Sequence, residues 1–150
     1  MTTPAKQLAG FIAKFDPEVA KVIRGARRVL RQRVPTAIEI VYDNYNFFVI
    51  GYSTTERPSD CMFSIAAAAN GVGLSFYYGS TLPDPDGLLL GNGKQNRFIR
   101  IPSAAVLESA PVERLLGAAI AQSRHPLADT GRGKTIIKSV SKKQRSRRRD

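Results

Sequence analysis

Tryptophan is absent from the 150 residues, and cysteine and histidine occur once each, as Cys61 and His125. A single cysteine forms no internal disulfide and no thiolate cluster, which fits a reducing compartment. Any Ser-His-Asp triad would have to use His125, which precedes Pro126 in a linker ill suited to rigid positioning. Acidic residues are scarce as well: 12 Asp plus Glu stand against 23 Lys plus Arg, for a net charge of +11. No apolar run approaches the roughly 18 residues of a membrane helix. Residues 1–15 lack a basic segment leading into a long apolar stretch, so no secretory signal is expected. A cytoplasmic protein without membrane contact is the expectation. The hydrophobic fraction of 43% excludes wholesale disorder, and the length suits one compact domain.

The charge is uneven. Up to Ser123 the balance is +3, and from Arg124 onward it is +8, so most of the excess lies on the final 27 residues. Two units are therefore expected, a domain over 1–123 and a basic tail over 124–150.

Hydrophobic periodicity supplies the elements. Leu8, Phe11, Ile12 and Phe15 share one face of a short helix that starts near Thr3-Pro4. Asp16-Pro17-Glu18 reads as the cap and first turn of a second helix, with Val19, Val22, Ile23, Ala26, Val29 and Leu30 inward. Lys21, Arg24, Arg28 and Arg31 lie on its outer face, and Pro35 ends it near Val34. The period then changes to two. Strands are predicted over 38–42, 47–52, 61–69, 72–78 and 97–101, with Asn70-Gly71 as a tight hairpin turn. Pro111 opens a last helix carrying Val112, Leu115, Leu116, Ala119 and Ile120. Thr135 to Val140 suits a short edge strand, and 141–150 reads as unfolded. Helices, a strand meander and helices again point to an α+β fold. The expected form is a two-layer structure, a roughly five-stranded antiparallel sheet with N- and C-terminal helices on one face.

Three segments carry a family resemblance: 35–45 (PTAIEIVYDNY), 78–85 (YGSTLPDP) and 88–101 (LLLGNGKQNRFIRI). In this order and spacing, from about Phe15 to Ser123, the chain resembles the YdhG-like family of small bacterial domains of unknown function. The tail segment 131–145 resembles the ending of one branch of it. The resemblance implies a two-layer α/β domain with helices on one side of an antiparallel sheet. Some members are described as frataxin-like iron chaperones. Glu39, Asp43, Asp84 and Asp86 are the oxygen donors near the family motifs, yet hard iron prefers clustered carboxylates and the helical outer face here is basic.

Several constellations compete for a role. Gly91, Gly93, Lys94 and Arg97 form a glycine-rich basic turn whose N–H groups suit an anion. It is not a nucleotide loop: Leu88 stands where the first Walker glycine belongs and Gln95 where the hydroxyl residue belongs. The alternative is a structural turn with Arg97 paired to a carboxylate such as Asp84. Tyr42, Tyr45, Phe47, Tyr77 and Tyr78 fall near strand ends; Tyr42 and Phe47 are expected in the core, Tyr45 and Tyr77 at a cleft. Asp84-Pro85-Asp86-Gly87 lacks the donors of a calcium loop. Cys61 is expected to be a small buried hydrophobe.

The leading expectation is a non-enzymatic module for a small or anionic ligand, with no cofactor and no metal. Its site would form where Asp43, Asn44 and Tyr45 meet Gly91, Gly93, Lys94 and Arg97, with Tyr42 and Tyr77 lining it. A second expectation is sequence-independent nucleic-acid contact through Lys142, Lys143, Arg145, Arg147, Arg148 and Arg149. No aromatic residue interleaves with these cations to stack a base. Iron delivery is a third, and a homodimer closing the open sheet face is left open.

Overall fold

The computed structural model describes residues 2–149. Helix α1 (Pro4–Ala13) starts where Thr3 accepts the Lys6 N–H at 3.2 Å, and α2 (Pro17–Arg33) follows after the link Lys14-Phe15-Asp16. Asp16 precedes α2 in extended geometry, but its side chain makes no capping bond there. A meander then runs through β1 (Ile38–Asp43), β2 (Phe48–Ser53), β3 (Cys61–Ala68), β4 (Gly71–Phe76) and β5 (Arg97–Arg100). Helix α3 (Ala110–Ala121) and β6 (Thr135–Val140) complete the chain.

All six strands form one sheet in the order β5-β4-β3-β2-β1-β6. The first five pair antiparallel, as the short turns between most of them require. β6 differs: it lies parallel to β1, which corrects the five-stranded antiparallel expectation to a six-stranded mixed sheet. A parallel neighbour needs a long crossover, and the return from β5 through α3 supplies it. Gly133 fits β6 to the sheet. Its N–H reaches the Pro35 carbonyl at 2.9 Å, and a Cβ there would collide with the Ala37 backbone.

One face of the sheet is packed. Phe48, Ile50 and Tyr52 of β2, Phe63 and Ile65 of β3, and Leu74 and Phe76 of β4 point toward the helices. They meet Ile23, Ala26 and Leu30 of α2, Leu115 and Leu116 of α3, and Leu8 and Ile12 of α1. Each buried Leu, Ile or Phe among them contributes about 1.5–3 kcal/mol through removal from water. The other face carries Gly51, Ser64, Ala66, Gly73 and Ser75 at its centre, bare of helices. Phe47 is 52% exposed there, which corrects its expected core position: Phe48 takes the inward place and alternation turns Phe47 out.

The tail is docked against the domain. The Ser141 N–H donates to the Asp43 carbonyl, the Arg145 N–H to that of Tyr45, both at 2.9 Å, and Gln144 Nε2 to the Asp43 carbonyl at 2.7 Å. Arg147, only 4% exposed, donates to Asp43 Oδ1 at 2.8 Å and to the carbonyls of Asn44 and Asn46. Its guanidinium lies 5.9 Å from the Phe15 ring centroid. Asp16 receives the Arg149 N–H and stands 3.6 Å from Arg148, so the expected helix cap serves the tail. Residues 141–149 therefore have a fixed place, contrary to the reading of this stretch as unfolded. Asp150 lies outside the described residues.

Candidate functional site

The expected convergence of Asp43–Tyr45 with Gly91–Arg97 does not occur. Register places Asp43 opposite Phe48, Phe48 opposite Ala67 and Ala67 opposite Val72, at the end of the sheet that holds the β3–β4 hairpin. Arg97 pairs with Phe76, at the other end. Four inter-strand steps also separate β1 from β5, roughly 19 Å. Tyr77 follows β4 at the Arg97 end, and Tyr42 precedes Asp43 at the opposite end.

Each half then has its own local purpose. Arg97 donates to the Gly93 and Asn96 carbonyls and ties its turn together, without pairing to Asp84. Asp84 instead accepts the Leu88 and Leu89 N–H groups at 2.8 and 3.0 Å. Gly91 has φ +104, a left-handed value that lets Leu90 bridge to Phe98, while Gly93 and Lys94 are exposed. Tyr77 stacks on Tyr78 with ring centroids 4.7 Å apart. Tyr42 is half-buried, and that desolvation raises its phenol above the ordinary value. Asn44 accepts from Ser139 at 2.7 Å, and Tyr45 is 48% exposed. Asp43 is fully buried between Lys14 Nζ at 2.5 Å and Arg147, so it faces no ligand.

The other carboxylates fare alike. Asp86 pairs with Arg114 at 3.0 Å, and Glu39 is buried among protein donors. Among the described residues no group of three or more His, Cys, Asp or Glu stands close enough to hold a metal ion. His125 Nε2 lies 3.2 Å from an Arg57 nitrogen. Burial pushes the Cys61 thiol up to about 11, which leaves it protonated and a poor nucleophile near neutral pH. No described helix is long and apolar enough to cross a membrane.

The strongest constellation lies elsewhere. Arg24, Arg27, Arg28 and Arg31 recur at three- and four-residue spacing along α2, and they line a cleft of about 500 Å³ with Arg132 from the segment ahead of β6. Ala5, Ala9 and Ile12 of α1 form its apolar wall. One buried carboxylate serves this cluster. Glu39 accepts from Arg27 Nε and Nη2 at 2.9 Å, from Arg31 Nη1 at 2.7 Å, from the Tyr52 hydroxyl at 2.9 Å and from the Thr135 hydroxyl at 2.8 Å. Burial alone would raise its carboxyl. Hydrogen bonds from Arg27 and Thr135, with the charges of Arg27 and Arg31, outweigh that and hold it below the ordinary glutamate value. The bond to Glu39 correspondingly raises Arg27. Burial and the neighbouring Glu39 charge place the Tyr52 phenol well above its ordinary range.

Arg24, Arg28 and Arg132 have no carboxylate within 4.0 Å among the described residues. Two arginines are thus fixed by Glu39, and three are left to turn toward something else. The spacing on α2 signals most of this cluster. Arg132 could not be found so, because it lies about a hundred residues downstream and reaches the cleft only through β6.

Of the tail cations, Arg147 and Arg148 are engaged with Asp43 and Asp16. Lys142, Lys143, Arg145 and Arg149 are exposed, and the Arg145 guanidinium lies 5.7 Å from the Tyr45 ring centroid.

Compared with family models, curated proteins and solved structures, the chain matches none of them.

Proposed function

We propose that the protein is a non-enzymatic binding module for a phosphate-bearing ligand, held in the arginine cleft between α1, α2 and the segment ahead of β6. The observation that carries this reading is the charge imbalance of the cleft: five arginines line it, and one carboxylate, Glu39, answers two of them. Like charges gathered around one cavity repel, and a multiply charged anion relieves that repulsion. The guanidinium fork pairs two N–H groups with two phosphate oxygens. A phosphoryl group brings a charge near −2 against about −1 for a carboxylate, which suits three unanswered cations better. Ala5, Ala9 and Ile12 supply an apolar wall for the uncharged part of the ligand.

Isothermal titration with inorganic tripolyphosphate, in about 50 and 200 mM salt, tests the proposal. The expected result is saturable one-to-one binding that weakens with salt. Arg28→Gln and Arg132→Gln should each reduce affinity about tenfold, in the range of a lost charge-assisted bond. Glu39 and its two partners are left intact, so the fold survives the substitutions. Binding unchanged in the Arg24→Gln/Arg28→Gln/Arg132→Gln protein would overturn the reading.

A further inference from the structure

We infer that the tip of the β1–β2 hairpin and the docked segment 142–149 together bind single-stranded nucleic acid, bases stacking on Tyr45 and Phe47 and phosphates meeting Lys142, Lys143, Arg145 and Arg149. The tail by itself carries cations and small polar residues, with no ring for a base. The fold supplies the rings. Tyr45 and Phe47 are 48% and 52% exposed on a tight turn closed by the Asn44 N–H to the Phe47 carbonyl at 3.0 Å. Arg147 pins the tail beside that turn through Asp43 and the carbonyls of Asn44 and Asn46. The Arg145 N–H then meets the Tyr45 carbonyl at 2.9 Å, and its guanidinium lies over the Tyr45 ring.

A cationic path beside exposed aromatic faces is the arrangement that holds single strands without reading sequence: the backbone follows the charge and every base offers a face to stack. In a duplex those faces are already covered, so the rings add nothing there. An anionic membrane also attracts cations and rings. Here, however, a Tyr45 ring entering hydrocarbon would carry the Arg145 guanidinium with it, and burying that charge is costly. Stacking a base leaves the guanidinium in water beside a phosphate. The surface is separate from the arginine cleft, since Arg132 precedes the six residues of β6 and this tip follows them, roughly 20 Å away.

Fluorescence anisotropy of the full chain with labelled single-stranded thymidine and uridine oligonucleotides of about twelve residues, and a duplex of equal length, provides the test. The two single strands decide whether the sugar matters. The expected result is binding of single strands at least tenfold tighter than the duplex. Tyr45→Ala and Phe47→Ala should each weaken it about tenfold with little change in salt slope, and Tyr45→Phe should restore it. Lys142→Gln/Lys143→Gln should flatten the log–log salt dependence by about 1.4, from roughly 0.7 per phosphate contact. Both rings and both lysines are exposed, and a thermal melt of each variant verifies folding. Arg28→Gln should leave this binding unchanged, which keeps it distinct from the anion cleft. Equal affinity for duplex and single strand, unaltered binding by Tyr45→Ala and Phe47→Ala, or capture by phosphatidylserine vesicles in place of oligonucleotide would overturn the inference.

Discussion

Glu39 and Asp43 stand near the two ends of β1, on the same helix-facing side, and both are fully buried. Their partners differ. Glu39 is held by Arg27 and Arg31, 12 and 8 residues away on α2, by Tyr52 on the neighbouring strand, and by Thr135. Asp43 is held by Lys14 at the end of α1 and by Arg147, 104 residues away. One carboxylate locks α2, the sheet and the start of β6 together, and the other locks the segment after β6 to the rest. The same chemistry thus does two jobs according to where the cation lies in the chain. A buried charge is costly unless paired, so each pair penalises arrangements that separate it.

That contrast gives a graded set of outcomes. The largest effect is expected from Glu39→Gln, which leaves two arginines without their counter-charge and disturbs Tyr52 and Thr135. Loss of one partner from a buried pair costs about 3–5 kcal/mol, so the melting temperature should fall by roughly 10 °C in calorimetry. A change under about 2 °C would show that the arginines re-solvate freely. Next comes Arg147→Gln. Lys14 still answers Asp43, so about 2–3 kcal/mol is expected, and the loss is local. Limited trypsin digestion should then cleave at Lys142 or Lys143 while the remainder stays resistant. Equal cleavage in wild-type and variant protein would break the contrast, because the tail would be loose with or without Arg147.

The smallest effect concerns pH. The Glu39 carboxyl is lower in the folded protein than its ordinary 4.5. Its contribution is therefore complete above about pH 4.5 and is lost as pH falls through the lower folded value. Urea unfolding of wild-type protein should give stability that is level in this respect from pH 7 to 5 and declines below. Glu39→Gln should remove part of the decline, whereas Arg147→Gln should leave that part in place.

Much of the fold was legible because period is a strong signal. The stripes of α1, α2 and α3 and the alternation in β1 to β5 appear in the residues themselves. The Phe47-Phe48 pair was ambiguous, since a shift of one residue exchanges inward and outward places. The parallel pairing of β6 was hidden, because a strand at the end of a long crossover carries no local mark of its neighbour. The site was less legible. Turns over 43–46 and 91–96 look alike in composition, and only the succession of strands decides that they fall at opposite ends of the sheet. Arg147 resembled its basic neighbours until the fold set it beside Asp43. The arginines of α2 were visible as an outer face, but not as one wall of a cleft.

The parallel seat of β6 also has a consequence in time. During synthesis β1 has one neighbour, β2, and its remaining hydrogen-bonding edge stays bare until the residues near Thr135 emerge. At common elongation rates the 96 positions from Glu39 to Thr135 take roughly 5–20 s. For that interval the newborn sheet offers an open border to other chains, the kind of border on which aggregation begins. Its closure waits for β6, a strand made long after the one it covers.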